Sequence, residues 1–419
     1  MERLPGFRDF YPEPLPSRDA GWSLDARQYI FNKWRETARR YGFREYDGPP
    51  LESLELFTTK SGDEIVGQLY NFTDKGNRAV ALRPEMTPTL ARMVAAHERN
   101  YKKPIKWFAI PQLFRYERQQ KGRLREHFQF NADLIGETDP AADAELIALL
   151  IDTLRAFGLT KEDFVLRLSS RNAWHEFYEG GRRKAEGGSD ASHEYEFFQT
   201  IDKLERTPPE ESERKLAALG FSLAAVNRFI ESGKPTVELQ SILDNLAARG
   251  LREFVKVDYH VIRGLAYYTG TVFEAFDATG EFRAIAGGGR YNNLVKLVSG
   301  GKVDLPALGF GMGDVVLLEL LRARDLLPKF DATTDVYVLI EDEPLRAQSL
   351  KLAQNLRAAG YAVDYPLTPA KSDKQFKRAQ ELKVSYTARV ESDDYVRIRN
   401  MKTREEVVAG FADVANHLD

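Results

Sequence analysis

The chain of 419 residues contains no cysteine, which excludes disulfides, thiolate zinc sites and cysteine nucleophiles. Its six histidines are scattered, with no pair at the spacing of metal ligands, so we expect no structural zinc. The formal net charge of −3 gives no general attraction to nucleic acid, and such contact would need a local basic patch. No segment reaches the roughly 18 consecutive apolar residues of a membrane span, and no signal peptide is recognisable, so we expect a cytoplasmic protein without a membrane segment.

The length permits two or three domains, each with its own core, and the first predicted domain covers 1–330. Apolar periodicity predicts helices at 24–42, 84–98, 141–157 and 314–324, and strand-like runs at 106–118, 125–136, 254–259 and 284–298. Residues 172–254 differ in character, because two glycine pairs interrupt the pattern and the remainder predicts several short polar helices. We interpret 172–254 as a helical insertion.

A linker at 327–329, Leu-Pro-Lys, predicts a second domain at 331–419. This part alternates between strand and helix patterns. The predicted strands are 335–340, 361–365, 384–390 and 395–399, and the predicted helices are 343–358, 371–381 and 404–417. Such alternation indicates an α/β domain with a mostly parallel sheet.

Residues 263–274 read Arg-Gly-Leu-Ala-Tyr-Tyr-Thr-Gly-Thr-Val-Phe-Glu. The glycine after Arg263 lets the backbone bring the guanidinium against a ligand, and arginine pairs bidentately with a carboxylate. The hydroxyls of Tyr267 and Tyr268 offer hydrogen bonds to a polar side chain. The segment therefore suits recognition of a small zwitterion, although it also fits a strand entered through a turn.

A second informative unit is the predicted hairpin at 113–136. Its outgoing strand carries Arg115 and Glu117, and its loop contains Gln120 and Arg123. Strand period two predicts one apolar and one polar face for the return strand. The apolar residues are Phe128, Phe130, Ala132 and Leu134, and the polar residues are Arg125, His127, Gln129, Asn131 and Asp133. Solvated edges rich in arginine are common, but this polar face is too regular and too varied for that interpretation.

Residues 83–87 read Arg-Pro-Glu-Met-Thr and are predicted to open the helix at 84–98. Glu85 and Thr87 would then lie in the first turn, where a glutamate is favourable electrostatically even without a function. Taken alone, the pentapeptide therefore indicates only a helix start.

Two glycine-rich segments lie further along the chain. Residues 286–291 combine three glycines with an arginine and Tyr291, and 309–313 alternates glycine with larger residues. Glycine permits close approach of a ligand to the backbone. The spacing at Gly309 and Gly311 is not that of a dinucleotide-binding loop, and no acidic ribose-binding residue follows at a suitable distance.

The predicted helix at 371–381 is rich in basic residues. Lys371, Lys374 and Arg378 share one face by their spacing. Taken alone, such a face is most often only solvated.

Together these segments resemble the signature sequences of histidyl-tRNA synthetases, a family of class II aminoacyl-tRNA synthetases. The hairpin resembles motif 2, and 263–268 is similar to the Arg-Gly-Leu-Asp-Tyr-Tyr of most members. The third motif departs from the family, because Glu-Arg is replaced by Val315 and Val316, as in plant-organelle-like members. In the family, that arginine stacks on adenine or contacts the γ-phosphate. The resemblance implies an α+β catalytic domain, an antiparallel sheet with flanking helices, followed by a C-terminal α/β anticodon-binding domain.

The resemblance also implies a role for each matching residue. The residues expected to bind histidine are Glu85, Thr87, Gln129, Asp133, Arg263, Tyr267, Tyr268 and Tyr291. Those expected to bind ATP are Arg115, Glu117, Arg123, Gly309 and Gly311, with Arg115 and Arg263 as catalytic residues. Those expected to contact tRNA are Gln120 and Arg123 at the acceptor end, and Lys371, Lys374 and Arg378 at the anticodon. The family further implies ATP with Mg²⁺, no metal site made by protein alone, tRNA-His as partner, and a homodimer.

Two alternatives remain from the sequence. One is a non-catalytic, synthetase-like regulatory subunit of ATP phosphoribosyltransferase, which the altered third motif favours. That group usually lacks the C-terminal domain and loses motif 2 residues. The other is a tRNA-binding sensor module, which would keep 335–419 but would not need Arg115.

Overall fold

The computed structural model describes residues 2–12, 23–58, 66–117, 124–182, 191–262, 267–330 and 334–418. Its contacts divide the chain into two compact units, Met1–Leu327 and Pro328–Asp419. Within the described ranges, no helix has both the length and the apolar character needed to cross a membrane.

The first unit contains twelve strands within its described residues. They are β1 (Arg44–Glu45), β2 (Leu51–Ser53), β3 (Tyr70–Thr73), β4 (Ala79–Leu82), β5 (Ile105–Ala109), β6 (Gln112–Phe114), β7 (Glu126–Ile135), β8 (Phe164–Ser170), β9 (Val255–Val257), β10 (Thr271–Asp277), β11 (Ala286–Arg290) and β12 (Ala307–Gly313). The main sheet has the order β1-β5-β7-β12-β11-β10-β8-β9, with β6 also paired to β7. Its centre is antiparallel, as predicted, and only the edge pairs β1–β5 and β8–β9 are parallel among the described strands.

Helices flank this sheet. Outside the 172–254 region they are α1 (Leu24–Arg40), α2 (Leu54–Thr58), α3 (Thr87–His97), α4 (Pro140–Arg155), α10 (Leu294–Val298) and α11 (Asp314–Ala323). The predicted helix at 24–42 is confirmed as α1, which begins where the hydroxyl of Ser23 accepts a hydrogen bond from the Ala26 amide. Its residues Ile30 and Trp34 recur at helical spacing and are buried against the sheet, so α1 is fixed by one apolar face.

Between β8 and β9 the described residues are mainly helical. The helices are α5 (Arg171–Arg182), α6 (Ala191–Asp202), α7 (Pro209–Ala218), α8 (Leu223–Ser232) and α9 (Val237–Ala248). The expected break at Gly180 and Gly181 is wrong, because α5 continues through both residues. A Cβ atom on Gly181 would clash with the ring of Phe221, so the lack of a side chain at Gly181 permits close packing there.

Three element boundaries in the first unit differ from the sequence prediction. The helix predicted at 84–98 begins only at Thr87, with Pro88 in its first turn, where a proline is well accommodated. The run 106–118 is two strands, β5 and β6, which are separated at Pro111, a residue that has no amide hydrogen to donate to a ladder. The strand signal at 284–298 ends in the short helix α10.

The second unit contains the strands β13 (Val336–Leu339), β14 (Val363–Asp364), β15 (Tyr386–Val390), β16 (Tyr395–Asn400) and β17 (Glu406–Gly410), and the helices α12 (Arg346–Ala358) and α13 (Ser372–Glu381). The order is β14-β13-β15-β16-β17. The expected mostly parallel sheet is wrong, because β13 pairs in parallel with β14 and β15, whereas β15–β16 and β16–β17 are antiparallel. The helix predicted at 404–417 is also wrong, since β17 pairs with β16 there and only Val414–His417 forms a 3₁₀ turn.

Candidate active site

A cavity of about 700 Å³ lies on one face of the main sheet. The described residues predicted to bind histidine or ATP all line it: Glu85, Thr87, Arg115, Glu117, Gln129, Asp133, Tyr267, Tyr268, Tyr291, Gly309 and Gly311. These residues are far apart in the sequence, and the fold places them around one space. Gln120, Arg123 and Arg263 lie outside the described residues.

One wall of the cavity is the polar face of β7. His127, Gln129, Asn131 and Asp133 line the cavity, whereas Phe130, Ala132 and Leu134 lie in the hydrophobic core. The alternation predicted from strand period two is therefore confirmed. His127 and Asn131 were on the predicted polar face, but no role had been assigned to them.

The glycines of β12 form the floor beside this wall. Gly309 pairs with Asp133, and Gly311 pairs with Asn131. A Cβ atom on Gly309 would meet the carboxylate of Asp133, and one on Gly311 would lie 2.6 Å from the side-chain amide carbon of Gln129. Because glycine has no side chain, the polar groups of β7 lie directly over the neighbouring strand.

The deepest polar contact joins β7 to the end of β11. The hydroxyl of Tyr291 donates a hydrogen bond of 2.5 Å to Oδ1 of Asp133, and both residues are buried. Burial raises the pKa of Asp133 to about 7, while the Tyr291 hydrogen bond opposes the shift. Burial likewise raises the pKa of Tyr291 well above its ordinary value, and the adjacent Asp133 adds to this. The pair forms a buried acceptor and donor suited to a polar ring.

A second carboxylate lies beside the tyrosine pair. The hydroxyl of Tyr267 donates to Oε2 of Glu85 at 2.7 Å, and Glu85 is only 4% exposed. Because α3 begins at Thr87, Glu85 is not in the first turn as predicted but in the segment before the helix. A buried carboxylate needs charged or polar partners, which makes this position suited to a cationic group such as an amine.

Arg115 provides positive charge in the same cavity. Its Nε donates to the carbonyl oxygen of Pro84 at 2.9 Å, and its Nη1 lies 4.0 Å from Oε1 of Glu117. This hydrogen bond from Arg115 to the Pro84 carbonyl links motif 2 to the segment that carries Glu85. A guanidinium held in this way is prepared to bind an anionic group without reorganisation.

The sequence analysis missed the wall that comes from 172–254. Tyr195, Gln199 and Asp202 of α6, with Glu205 and Arg206 just after it, line the cavity. No motif marks these residues, because their positions depend on how the helices pack against the sheet. The amphipathic pattern of α6 indicates a buried face but not what that face meets.

A buried ion network behind the cavity was also missed. Nε of Arg8 donates to Glu126 at 2.7 Å, and Nη1 of Arg8 donates to Asp314 at 2.8 Å. Asp314 also accepts a hydrogen bond from the Phe128 amide. This network links the N-terminal segment to β7 and to the start of α11. Asp314, in the altered third motif, is therefore engaged in a structural contact.

Arg290 does not serve the cavity in the way its glycine-rich segment suggests. Its guanidinium is buried against Asp143, with Nε 2.9 Å from Oδ2, and also bonds the carbonyl oxygens of Glu137 and Asp139. It therefore secures the start of α4. Its neighbour Tyr291 is the residue of this segment that contributes a side chain to the site.

In the second unit, the basic face predicted for the helix at 371–381 is exposed. Lys371 immediately precedes α13 without a capping side-chain hydrogen bond, and Lys374 and Arg378 are exposed along the helix. Arg378 also lies 3.6 Å from Glu381, an exposed pair that contributes little to stability.

Comparisons with known proteins identify relatives of this chain. A family profile described as histidyl-tRNA synthetase matches residues 23–314, and one described as anticodon binding domain matches 335–419. A histidine–tRNA ligase from Opitutus terrae is 46% identical over 432 aligned residues, which cover 97% of this chain and 95% of the relative. A chloroplastic/mitochondrial histidine–tRNA ligase from Arabidopsis thaliana is 38% identical, covering 89% of this chain and 77% of the relative.

The fold has a counterpart among solved structures. A histidyl-tRNA synthetase from Nostoc matches with a TM-score of 0.77 at 21% identity, covering 100% of this chain and 98% of that one. At that identity the likeness concerns the fold, whereas the closer sequence relatives and the long profile match establish kinship. The chain belongs to the histidyl-tRNA synthetase family.

Proposed function

We propose that this chain is a histidine–tRNA ligase, which activates L-histidine with ATP and transfers the histidyl group to the 3′ end of tRNA-His. The observation that carries the proposal is the single cavity that holds both the buried Asp133–Tyr291 pair and Arg115. The pair suits an imidazole, and the arginine suits a phosphate. The relatives named histidine–tRNA ligase support the same reaction.

The histidine subsite is proposed to divide between two ends of the substrate. Asp133, Tyr268 and Tyr291 would face the imidazole, and Glu85, Thr87 and Gln129 would take the α-amino group, with Tyr267 holding Glu85 in position. A site built from buried hydrogen-bonding groups rejects side chains that leave those groups unpaired. Selectivity for histidine would follow from the free-energy cost of leaving these buried groups unpaired.

The proposed first step is attack of the histidine carboxylate on the α-phosphorus of ATP. A bond forms between the carboxylate oxygen and phosphorus, the bond to the β-phosphate oxygen breaks, and pyrophosphate leaves. Arg115 would stabilise the negative charge that develops on the α-phosphate, and Arg263 would bridge the carboxylate and the phosphate. We propose that the phosphate end of ATP reaches over Gly309 and Gly311, where it adjoins the histidine subsite, and that Glu117 and Arg123 complete the expected ATP contacts.

We further propose that Mg²⁺ binds in this cavity together with the phosphates of ATP. Among the described residues, no group of three or more histidine or carboxylate side chains is placed to hold a metal ion. Mg²⁺ in such enzymes keeps several waters and binds substrate phosphates with one or two carboxylates. Glu117 and Glu274 line the cavity and would supply those carboxylates to a magnesium ion that arrives with ATP.

In the second step, the terminal tRNA hydroxyl would attack the histidyl carbonyl, and AMP would leave. We propose that Gln120 and Arg123 contact the acceptor end and that the exposed Lys371, Lys374 and Arg378 contact the anticodon region. Phosphate contacts by lysine and arginine make such binding depend on salt. We also propose a homodimer, since 24–57 has the outline of the class II dimer motif, and a cytoplasmic location, where tRNA and ATP meet.

One observation favours the regulatory alternative. Val316 lines the cavity at a position where most of the family has an arginine, so one expected ATP contact is absent there. Against this alternative, Arg115 lies in the cavity and residues 334–418 form the described part of a second unit. The regulatory subunit would bind histidine but would not consume ATP.

The proposal is tested by ATP–pyrophosphate exchange with each of the standard amino acids. We expect exchange with histidine alone, because only an imidazole satisfies the buried Asp133–Tyr291 pair. Arg263→Ala should abolish exchange while the protein remains folded by circular dichroism, because the charge proposed to bridge the carboxylate and the phosphate is lost. Histidine binding without exchange would instead establish the regulatory alternative.

A further inference from the structure

The end of the cavity nearest α11 has a composition unlike the rest. Val315, Val316, Phe282 and Ile285 line this end, together with Arg283 and His127. The groups are apolar, aromatic or planar. In contrast, the opposite end carries the hydroxyls and carboxylates of the proposed histidine subsite. Flat, largely apolar surroundings suit a nucleobase more than a phosphate chain.

Strands β7 and β11 lie on either side of β12. Gln129 of β7 pairs with Gly313, and Ala286 of β11 pairs with Met312. His127 and Arg283 come shortly before Gln129 and Ala286 in the chain, so both lie toward the end of β12 at which α11 begins. Since neighbouring strands lie about 4.8 Å apart, β7 and β11 are separated by roughly 10 Å across β12. At that spacing, side chains on one face can flank a flat ring.

His127 is suited to lie against one face of such a ring. Burial, and next the positive charges of Arg115 and Arg8, lower the pKa of His127 to about 3. The imidazole is therefore neutral at physiological pH and behaves as an aromatic surface rather than as another cation. Arg283 is a further arginine that lines the cavity.

We propose that Arg283 covers the adenine ring of ATP, with His127 on the opposite side, and so takes the place of the arginine that the third motif lacks. This inference rests on the proposed use of ATP. A planar guanidinium stacks on an aromatic face, a contact that the compact ammonium of lysine does not reproduce. Arg115 would remain the arginine of the α-phosphate.

The test compares Arg283→Ala, Arg283→Lys and Arg206→Ala, because Arg206 also lines the cavity but lies on the α6 wall. Binding of ATP and of adenosine, which has no phosphate, is measured by calorimetry. We expect Arg283→Ala to weaken both by about tenfold, since cation–π contacts have roughly this strength. Arg283→Lys should recover little of the loss, and Arg206→Ala should weaken adenosine binding less than Arg283→Ala does.

Several outcomes would overturn the inference. Unchanged adenosine affinity in Arg283→Ala would place the contact on the phosphates or nowhere, and recovery by Arg283→Lys would show that charge alone is needed. A larger loss in Arg206→Ala would assign the base to the other wall. These results are separable from failure of the proposed function, in which the wild-type protein would bind ATP yet show no histidine-dependent exchange.

Discussion

Asp133 is the residue on which histidine selectivity depends in this account. Asp133→Ala should raise the KM for histidine by roughly 10- to 100-fold, because a hydrogen bond to a charged or buried group is lost. The KM for ATP should change by less than about threefold, since the adenine end of the nucleotide is proposed to lie toward the other end of the cavity. Steady-state exchange kinetics measure both constants. Equal increases for the two substrates would show that the pocket assignment is wrong.

The environment of Asp133 also predicts a dependence of stability on pH. Burial raises its pKa from the ordinary 3.8 to about 7. Between these two pH values the carboxyl group is therefore protonated in the folded state and ionised in the unfolded state. This stabilisation is fully present below about pH 4 and is lost as the pH rises toward 7. It amounts to roughly 4 kcal/mol at most, at about 1.4 kcal/mol per pKa unit.

Asp133→Asn removes this titration while keeping the shape of the side chain. Urea unfolding of the ligand-free protein at pH 5, 6 and 7 should show a steeper fall in the free energy of unfolding for the wild type than for the variant. Parallel pH profiles would mean that Asp133 is ionised throughout the range.

Several residue positions followed from the sequence because strand geometry determines them. Asp133 and Gln129 fall on the polar face of β7 simply by alternation. In contrast, Arg8 and Asp314 are 306 positions apart, and only the folded chain brings them together. Arg290 is a different case, because its glycine-rich segment suggested the approach of a ligand, whereas its side chain forms an ion pair with Asp143.

At the scale of elements, the glycines of strand β12 lead to a specific prediction. Gly311→Ala should raise the KM for histidine, because its Cβ would lie 2.6 Å from the side-chain amide carbon of Gln129 and displace that side chain. Gly313→Ala is the matched control on the same strand, as its Cβ would meet nothing within 4 Å. The KM for histidine in ATP–pyrophosphate exchange should therefore differ between the two variants. Similar KM values for histidine would contradict the role assigned to this floor.

The boundaries of elements were harder to predict than their existence. The start of α3 at Thr87 depends on Glu85 leaving the helix to meet Tyr267, a contact between residues 182 positions apart. Residues 404–417 have helix-compatible composition, yet Val407 and Val408 pair with β16 because its edge is available. In both places a tertiary contact outweighs local preference.

At the scale of the whole molecule, the two compact units meet at Leu327 and Pro328 in the chain. A protein ending near Phe330 should retain histidine-dependent exchange, because the described cavity residues all lie before that point. It should attach histidine to tRNA poorly, since the basic face of α13 is removed and phosphate contacts contribute much of RNA affinity. Comparing exchange and aminoacylation rates of the two forms tests this division. Unchanged aminoacylation after truncation would refute the anticodon role of the second unit.

At this scale, the architecture of the first unit was accessible from sequence because its motifs are dispersed through that part of the chain and imply one architecture. The inner wall formed by α6 was not, since helix packing in the 172–254 region leaves no signature in the residues that line the cavity. The mixed sheet of the second unit was likewise hidden, because alternating helices and strands suggest parallel pairing until the last two strands form a meander.

The most direct test of the central claim is aminoacylation of tRNA-His by the intact protein with labelled histidine and ATP. We expect histidine to appear on the 3′ end of the tRNA, no other amino acid to be attached, and the product to decline steeply as salt rises. Arg115→Ala should lose most of this activity while still binding histidine, because its charge acts on the α-phosphate. A wild-type protein that binds histidine and ATP but forms no histidyl-tRNA would contradict the account.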